Sequence, residues 1–340
     1  MDMVSTFEIE QVSLTNKHVR SGILHTSSGI IKTPAVIPYA KNGLVSPLTS
    51  EELREIGCQS LAVNILPLSI QPGTQTLESC DSVGSFLNWA GPVISFVDQF
   101  SSLEKVKKNA GELGVRYEEP YSGAHKRITG KQAQQLQEIG QADIQLPLFQ
   151  NADYYAPVDD LKTALKINIQ WQQQGESSWG VIGGAGLKEL RKLNYQQIGS
   201  KDGYLITNLP DEQTEWRRIV HETIEILPND KPRMLVATSN EQIKLALLAG
   251  VDIIVTSIPI EMAHQGQTYI NNQIEKVSYE QYENSQDKIN ITAQNEVNLS
   301  YLHYLSHIHS SVGDHLLGLR NWRWLNSYFN KVRSEIGIMS

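Results

Sequence analysis

A (β/α)8 barrel, the TIM-barrel class, followed by a C-terminal helical appendage, is the fold this sequence predicts. Two observations lead there. Short apolar runs alternate with periodic segments of roughly ten residues, the pattern of parallel strands joined by crossover helices. No Gly-x-Gly-x-x-Gly follows the first strand, which disfavours an open dinucleotide-binding sheet. The length is compatible: 340 residues are about twice a typical ~150-residue domain, enough for one large barrel or two domains. Nothing reads as a linker or an internal repeat, so residues 1–340 are expected to form one domain.

Residues 7–40 read as short strands with turns at Ser21-Gly22 and Ser28-Gly29. Thr49-Ser50-Glu51-Glu52 opens a short helix, a hydroxyl cap followed by acids in the first turn. Leu61–Asn64 and Val93–Val97 are buried-strand candidates. Thr129 caps a helix through Ala133, Leu136 and Ile139, and Ala142-Asp143-Ile144 begins the next strand. Leu161–Ile167 has helical period, Trp179–Ile182 is a strand ending in glycines, and Leu187–Leu193 is a helix. Strands at Gly203–Ile206, Arg233–Ala237 and Val251–Val255 alternate with helices at Arg217–Leu227 and Glu241–Ala249. Residues 271–297 are polar and weakly periodic, the signature of an insertion or long loop. Helical period returns over 299–336.

Composition narrows the function classes. Apolar residues at 40% and charged residues at 19% describe an ordinary globular chain rather than a disordered one. Lys plus Arg is 29 against 37 for Asp plus Glu, a net charge of −8, which argues against a polyanion-binding surface spread over the molecule. Two cysteines, Cys58 and Cys80, make neither a disulfide framework nor a CxxC motif, so a reducing cytoplasm is expected. The first residues carry acids where a secretory leader needs bases. No apolar run reaches the ~18 residues of a membrane span.

A string of local motifs then becomes recognisable. It runs through Ser21–Thr26, Thr33-Pro34-Ala35, Leu48–Leu53, Asn64 with Gln71-Pro72-Gly73, and Phe86–Pro92. It continues with Tyr121–Lys126, Gln137 with Ala142-Asp143-Ile144, Leu190-Arg191, Leu227–Arg233, Gly250-Val251-Asp252 and Tyr301-Leu302-His303. In this order the set resembles the tRNA-guanine transglycosylase family, also called queuine tRNA-ribosyltransferases, over nearly the whole chain. The resemblance implies a barrel with a C-terminal helical subdomain. It also implies exchange of a tRNA guanine for a 7-deazaguanine through a covalent aspartyl intermediate.

The residues that would carry that chemistry are replaced. The family's nucleophilic aspartate falls at Val255, which has no lone pair to offer a ribose carbon. The aspartate of the family's Asp-Ser-Gly-Gly-Phe-Gln falls at Phe96, and its stacking aromatic at Phe100. Asp98 replaces the lost acid only if the chain shifts by two residues; otherwise it is a loop acid. The base-recognising aspartate falls at Phe149, with Asp153 four residues on as a weak substitute or a turn cap. Gly183-Gly184-Ala185 stands at the family's Gln-Gly-Gly, and Thr207-Asn208-Leu209 at its Gly-Gly-Leu. By family position the base pocket would be formed by Phe100, Gly183, Gly184, Leu209 and Val236.

Two further devices depart. The zinc-cysteine columns are Ile289, Ile291 and Gln294, and the zinc-histidine column is Arg320, so no cofactor is expected, since zinc needs four donors. His303, His307, His309 and His315 read as surface or interface residues. The family's basic loop has become Glu261–Gly266, with an acid and a histidine in two arginine columns, which weakens phosphate contacts. Basic residues do gather at Arg320 and Arg323, interleaved with Trp322 and Trp324, and at Lys331 and Arg333, either to stack on nucleotides or to pack an amphipathic helix.

The expectation is a non-catalytic paralogue that serves as accessory subunit in queuosine-type tRNA modification. It would form a homodimer, or a heterodimer with a catalytic family member, and meet tRNA through that partner rather than a membrane. One alternative is an active transglycosylase using Asp98 or Asp153. Another is a stand-alone binder of a purine or 7-deazaguanine.

Overall fold

The computed structural model describes residues 5–97, 114–119, 122–175 and 177–336. Eight parallel strands form the barrel: Ala35–Ala40, Leu61–Asn64, Val93–Phe96, Ile144–Gln145, Trp179–Ile182, Gly203–Ile206, Arg233–Ala237 and Ile253–Thr256. The eighth pairs with the first, Val255 beside Ile37 and Ile253 beside Ala35. Pairing runs on around the ring and is interrupted between the fourth and fifth strands. There the Ser177 hydroxyl donates to the Gln145 carbonyl at 2.5 Å. The barrel is therefore nearly closed, as expected.

Alternation along each strand separates two cores. Ala35, Ile37, Ala62, Ile94, Phe96, Val181, Leu205, Met234, Ile253 and Val255 fill the axis. Val36, Val63, Val93, Ile182, Ile206, Leu235 and Ile254 face the surrounding helices. Burying each valine, leucine, isoleucine, methionine or phenylalanine among them contributes about 1.5–3 kcal/mol, so the pattern that predicted the strands also stabilises them. Gly203 has a spatial reason: a Cβ there would lie 2.5 Å from the Trp179 indole, its partner across the ladder.

A three-stranded antiparallel sheet, Thr6–Val12, Arg20–Thr26 and Gly29–Thr33, closes the N-terminal end of the barrel. Its Leu24 and Ile31, with Phe7, pack into the axial core. Ser21-Gly22 is not a turn; both lie within the second strand. Glycine is needed there because a Cβ on Gly22 would meet the Glu8 carbonyl at 2.4 Å. The sheet is tied down by Arg20, whose Nε and Nη2 donate to Asp252 at 2.9 and 2.8 Å. Asp252 also accepts from the Arg233 amide at 2.8 Å.

Residues 271–297 are more ordered than a long loop. The segment completes one hairpin (Gln267–Ile270 with Gln273–Lys276), contains the turn of 3-10 helix Glu280–Tyr282, and supplies most of a second hairpin, Lys288–Asn290 with Glu296–Asn298. Their polarity reflects exposed faces, while Val277, Ile289 and Ile291 reach the outer core. Helices Leu299–His307 and Ser311–Glu335 follow. The long helix packs on Ile258–His264, and its Asn321 amide donates to the Pro259 and Gln267 carbonyls at 3.1 and 2.9 Å. Among the described residues no helix is long and apolar enough to cross a membrane.

Candidate functional site at the barrel mouth

The chain folds so that three distant positions meet. Phe96 ends the third strand, Phe149 follows the fourth, and Val255 sits in the eighth; all three belong to the axial core. Their exposures are 1%, 4% and 0%. Tyr39 stands over Phe96 with ring centroids 5.9 Å apart. The point where the family resemblance places three carboxylates is filled by apolar side chains. None of these offers a nucleophile or a proton donor.

An open pocket of about 310 Å³ lies beside this plug, between the loops that follow the sixth and seventh strands. Leu209 and Val236 both line it, with Asn151, Thr207, Asn208 and Thr238 among the polar groups. Gly183 backs the pocket: a Cβ there would lie 3.5 Å from Asn151 Oδ1 and 3.7 Å from Thr207 Cγ2. Gly184 has φ +142, and a Cβ on it would meet the Arg191 amide at 2.9 Å. Phe100 and Asp98 lie outside the described residues.

Arg191 fixes the loops around this pocket. It is fully buried, and its guanidinium donates to the carbonyls of Ala185 at 2.9 Å, Thr207 at 3.0 Å and Asn208 at 2.8 Å. Burial brings its pKa down to about 9, so it remains a cation at neutral pH. Asn208, at φ 56, accepts from the Ala185 amide at 2.7 Å and donates to the Ala152 carbonyl at 3.1 Å. The Asn151 amide donates to the Thr207 hydroxyl at 2.8 Å. These neutral dipoles suit hydrogen bonding to an uncharged ligand rather than proton transfer.

Among the described residues, the acids around the pocket are already committed or exposed. Glu215 is held down to about 2 by hydrogen bonds from Arg218 and then from the Tyr154 hydroxyl, the latter at 2.8 Å, so it is a weak base. Asp211 lines the pocket rim and is exposed. Asp153 is exposed and accepts from the Tyr155 amide at 3.0 Å, the geometry of a turn cap. The Thr256 hydroxyl donates to the Ala237 carbonyl at 2.8 Å, and the Ser257 hydroxyl donates to Glu261. Asn151, Tyr154 and Arg191 were not singled out as site residues by sequence. Only the Leu190-Arg191 motif hinted at the last.

The residues in the zinc columns do not fit a zinc ion. Ile289 and Ile291 are buried in the outer core, Gln294 is exposed, and Arg320 donates to the Asn290 and Tyr269 carbonyls at 2.5 and 2.7 Å. A guanidinium thus ties the second hairpin to the long helix. Among the described residues no three His, Cys, Asp or Glu side chains gather as a ligand set. His303 is not a surface residue: it is buried, and its Nδ1 lies 3.0 Å from the Val277 carbonyl. His264 pairs with Asp314 at 2.8 Å and His315 with Glu52 at 2.7 Å.

Comparison with known proteins points one way. Residues 15–338 match the profile of a family described as queuine tRNA-ribosyltransferase. The chain is 30% identical to the queuine tRNA-ribosyltransferase of Blochmanniella floridana, over 96% of this chain and 92% of that one. It is 26% identical to the protein of the same name from Idiomarina loihiensis, over 98% and 92%. With that of Nitrosomonas eutropha it shares 25% identity over 96% and 95%.

Proposed function

We propose, for a chain that belongs to the queuine tRNA-ribosyltransferase family, that it is a non-catalytic member acting as an accessory subunit in tRNA modification. The observation that supports this is the convergence of Phe96, Phe149 and Val255 in one buried apolar cluster. A covalent glycosyl transfer needs an ionised nucleophile and a partner that handles the proton. An apolar plug supplies neither. The scaffold is kept while its chemistry is given up.

The partner would be a second copy or a catalytic family member, docked in the cytoplasm through the C-terminal aromatic face. There Tyr269, Trp324 and Tyr328 stack in series, with centroids 3.8 and 5.5 Å apart, and Tyr328 and Ile274 are exposed at 36% and 44%. Such aromatics commonly anchor interfaces. The protein would work without structural zinc.

A second reading is favoured by the pocket of Leu209, Val236 and neutral amides: a stand-alone binder of a purine-like base. One experiment tests the first reading. Labelled guanine or 7-deazaguanine is offered to the purified chain with tRNA. No exchange is expected, whereas exchange that disappears in Asp98→Asn would install a relocated-carboxylate enzyme. Capture of a family member from the native host supports the accessory role; tight base binding by a monomer supports the second reading.

A further inference from the structure

The foot of the barrel, away from the loop-bearing mouth, holds a polar pocket of about 530 Å³. Its walls come from the turn between the first two strands of the N-terminal sheet, from the end of helix Gln213–Ile226, and from the segment leading into strand Arg233–Ala237. Lys17, His18, His221, Glu225 and Asn229 are among the lining residues. The turn is held in place. Asn16 donates to the Leu248 carbonyl at 3.1 Å and accepts from the His18 amide at 3.0 Å, and the Ser13 amide donates to the Val19 carbonyl at 2.8 Å. His18 is only 8% exposed, yet its imidazole makes no hydrogen bond among the described residues, and its Nδ1 is buried. Arg233 lies against the same turn. It donates from Nη1 to the His18 carbonyl at 3.3 Å and from Nη2 to Asn229 Oδ1 at 3.0 Å, while its buried Nε has no partner.

The charges around this pocket leave a positive surplus. Two buried guanidinium groups, Arg20 and Arg233, have one buried carboxylate between them, Asp252. Glu225 is taken up by Lys188 at 3.1 Å and lies 3.6 Å from His221, and the same cations answer the negative end of the helix. Asp230 and Lys231, next in the chain, cancel each other. Lys17 is exposed and adds a further positive charge. Burial first, then Arg233, Lys17 and His221, hold the His18 pKa below the usual 6.5, with Glu225 opposing. His18 is therefore uncharged near neutrality and gains its proton most readily beside an anion. A divalent metal ion fits less well, because the surplus repels it and no set of three donors gathers there among the described residues.

We infer that this pocket binds a tetrahedral oxyanion, the phosphate group of a small molecule, through Lys17, His221 and a His18 that takes up a proton as the anion enters. Arg233 acts from behind as a fixed positive charge. An unbonded buried imidazole costs free energy, and an anionic ligand relieves that cost by a charge-assisted hydrogen bond. The foot of a barrel serves stability rather than chemistry, so the bound anion fastens the N-terminal turn to helix Gln213–Ile226 and is not a substrate. The inference does not depend on whether the mouth is catalytic.

The test is NMR of the full chain, isotope-labelled at histidine Cε1 and titrated with sodium sulfate, which unlike phosphate does not itself titrate near neutrality. Sodium chloride at equal ionic strength is the control for screening. The His18 and His221 resonances, assigned with His18→Gln and His221→Gln, should shift saturably with sulfate and not with chloride. Saturating sulfate should raise the His18 pKa. Affinity should rise as pH falls below 6.5, by up to about tenfold per pH unit, the limit for one linked proton. Lys17→Ser should weaken sulfate binding several-fold with the melting temperature unchanged, and His18→Gln should remove most of the pH dependence. Glycerol phosphate binding more tightly than inorganic phosphate identifies an organic phosphate as the ligand, and the reverse order the free ion; either supports the site. Shifts no larger than in chloride, an unmoved His18 pKa, or undiminished affinity in Lys17→Ser would each overturn the inference. So would saturable binding of nickel at the two imidazoles in place of sulfate.

Discussion

Replacing Asp252 by asparagine removes one half of a buried ion pair and keeps its shape. Arg20 and Asp252 have side-chain exposures of 2% and 1%, so water cannot compensate either partner. Arg20 would remain a cation with its bidentate acceptor gone, and an asparagine N–H would face either that guanidinium or the Arg233 amide. Breaking a buried pair in this way costs about 3–5 kcal/mol. At about 2.1 cal/mol/K per residue, unfolding the 340 residues carries an entropy near 0.7 kcal/mol/K, so the melting temperature should fall by about 4–7 °C. Differential scanning calorimetry of Asp252→Asn reads this directly. Asp159→Asn removes the exposed contact to Lys162 and should move the midpoint by less than about 1 °C. The double variant Arg20→Met/Asp252→Leu should regain much of the loss, since replacing both charges removes the desolvation term. An Asp252→Asn variant that melts with the wild type would refute the claim that this pair fastens the N-terminal sheet to the barrel.

The other expectations follow from the same burial. Val255→Asp places a carboxylate at a fully buried position; it should lower stability by several kcal/mol without producing base exchange, measured with labelled guanine and tRNA. Elemental analysis should find less than stoichiometric zinc, and a chelator should leave the melting temperature unchanged, because Ile289, Ile291 and Arg320 occupy the ligand columns. His18 has its pKa lowered below 6.5 by burial first, then by Arg233 and Lys17. The unfolded chain therefore binds more protons between that lowered value and 6.5, so the stability from neutral His18 is complete above pH 6.5 and declines as pH falls through that window. Denaturant midpoints measured across it should slope less in His18→Gln, and an unchanged slope would assign the effect elsewhere.

Period and spacing in the sequence determined the barrel and the appendage, because each strand needs only apolar residues at alternate positions and each helix its cap. Thr49 and Thr129 were readable as caps because the capping box is local, and both form it. The loss of acids at Phe96, Phe149 and Val255 was readable from residue identity alone. Tertiary structure decided that these three positions, up to 159 residues apart in the chain, meet as one axial plug beside a pocket. It also decided that Ser21-Gly22 lies in a strand, since the approach of Glu8 explains the glycine, and that the polar stretch 271–297 forms hairpins anchored by buried Val277, Ile289 and Ile291. Arg191 shows the reason most plainly. A guanidinium bonded to carbonyls on two loops leaves no periodic trace, because backbone oxygens are the same for every residue type.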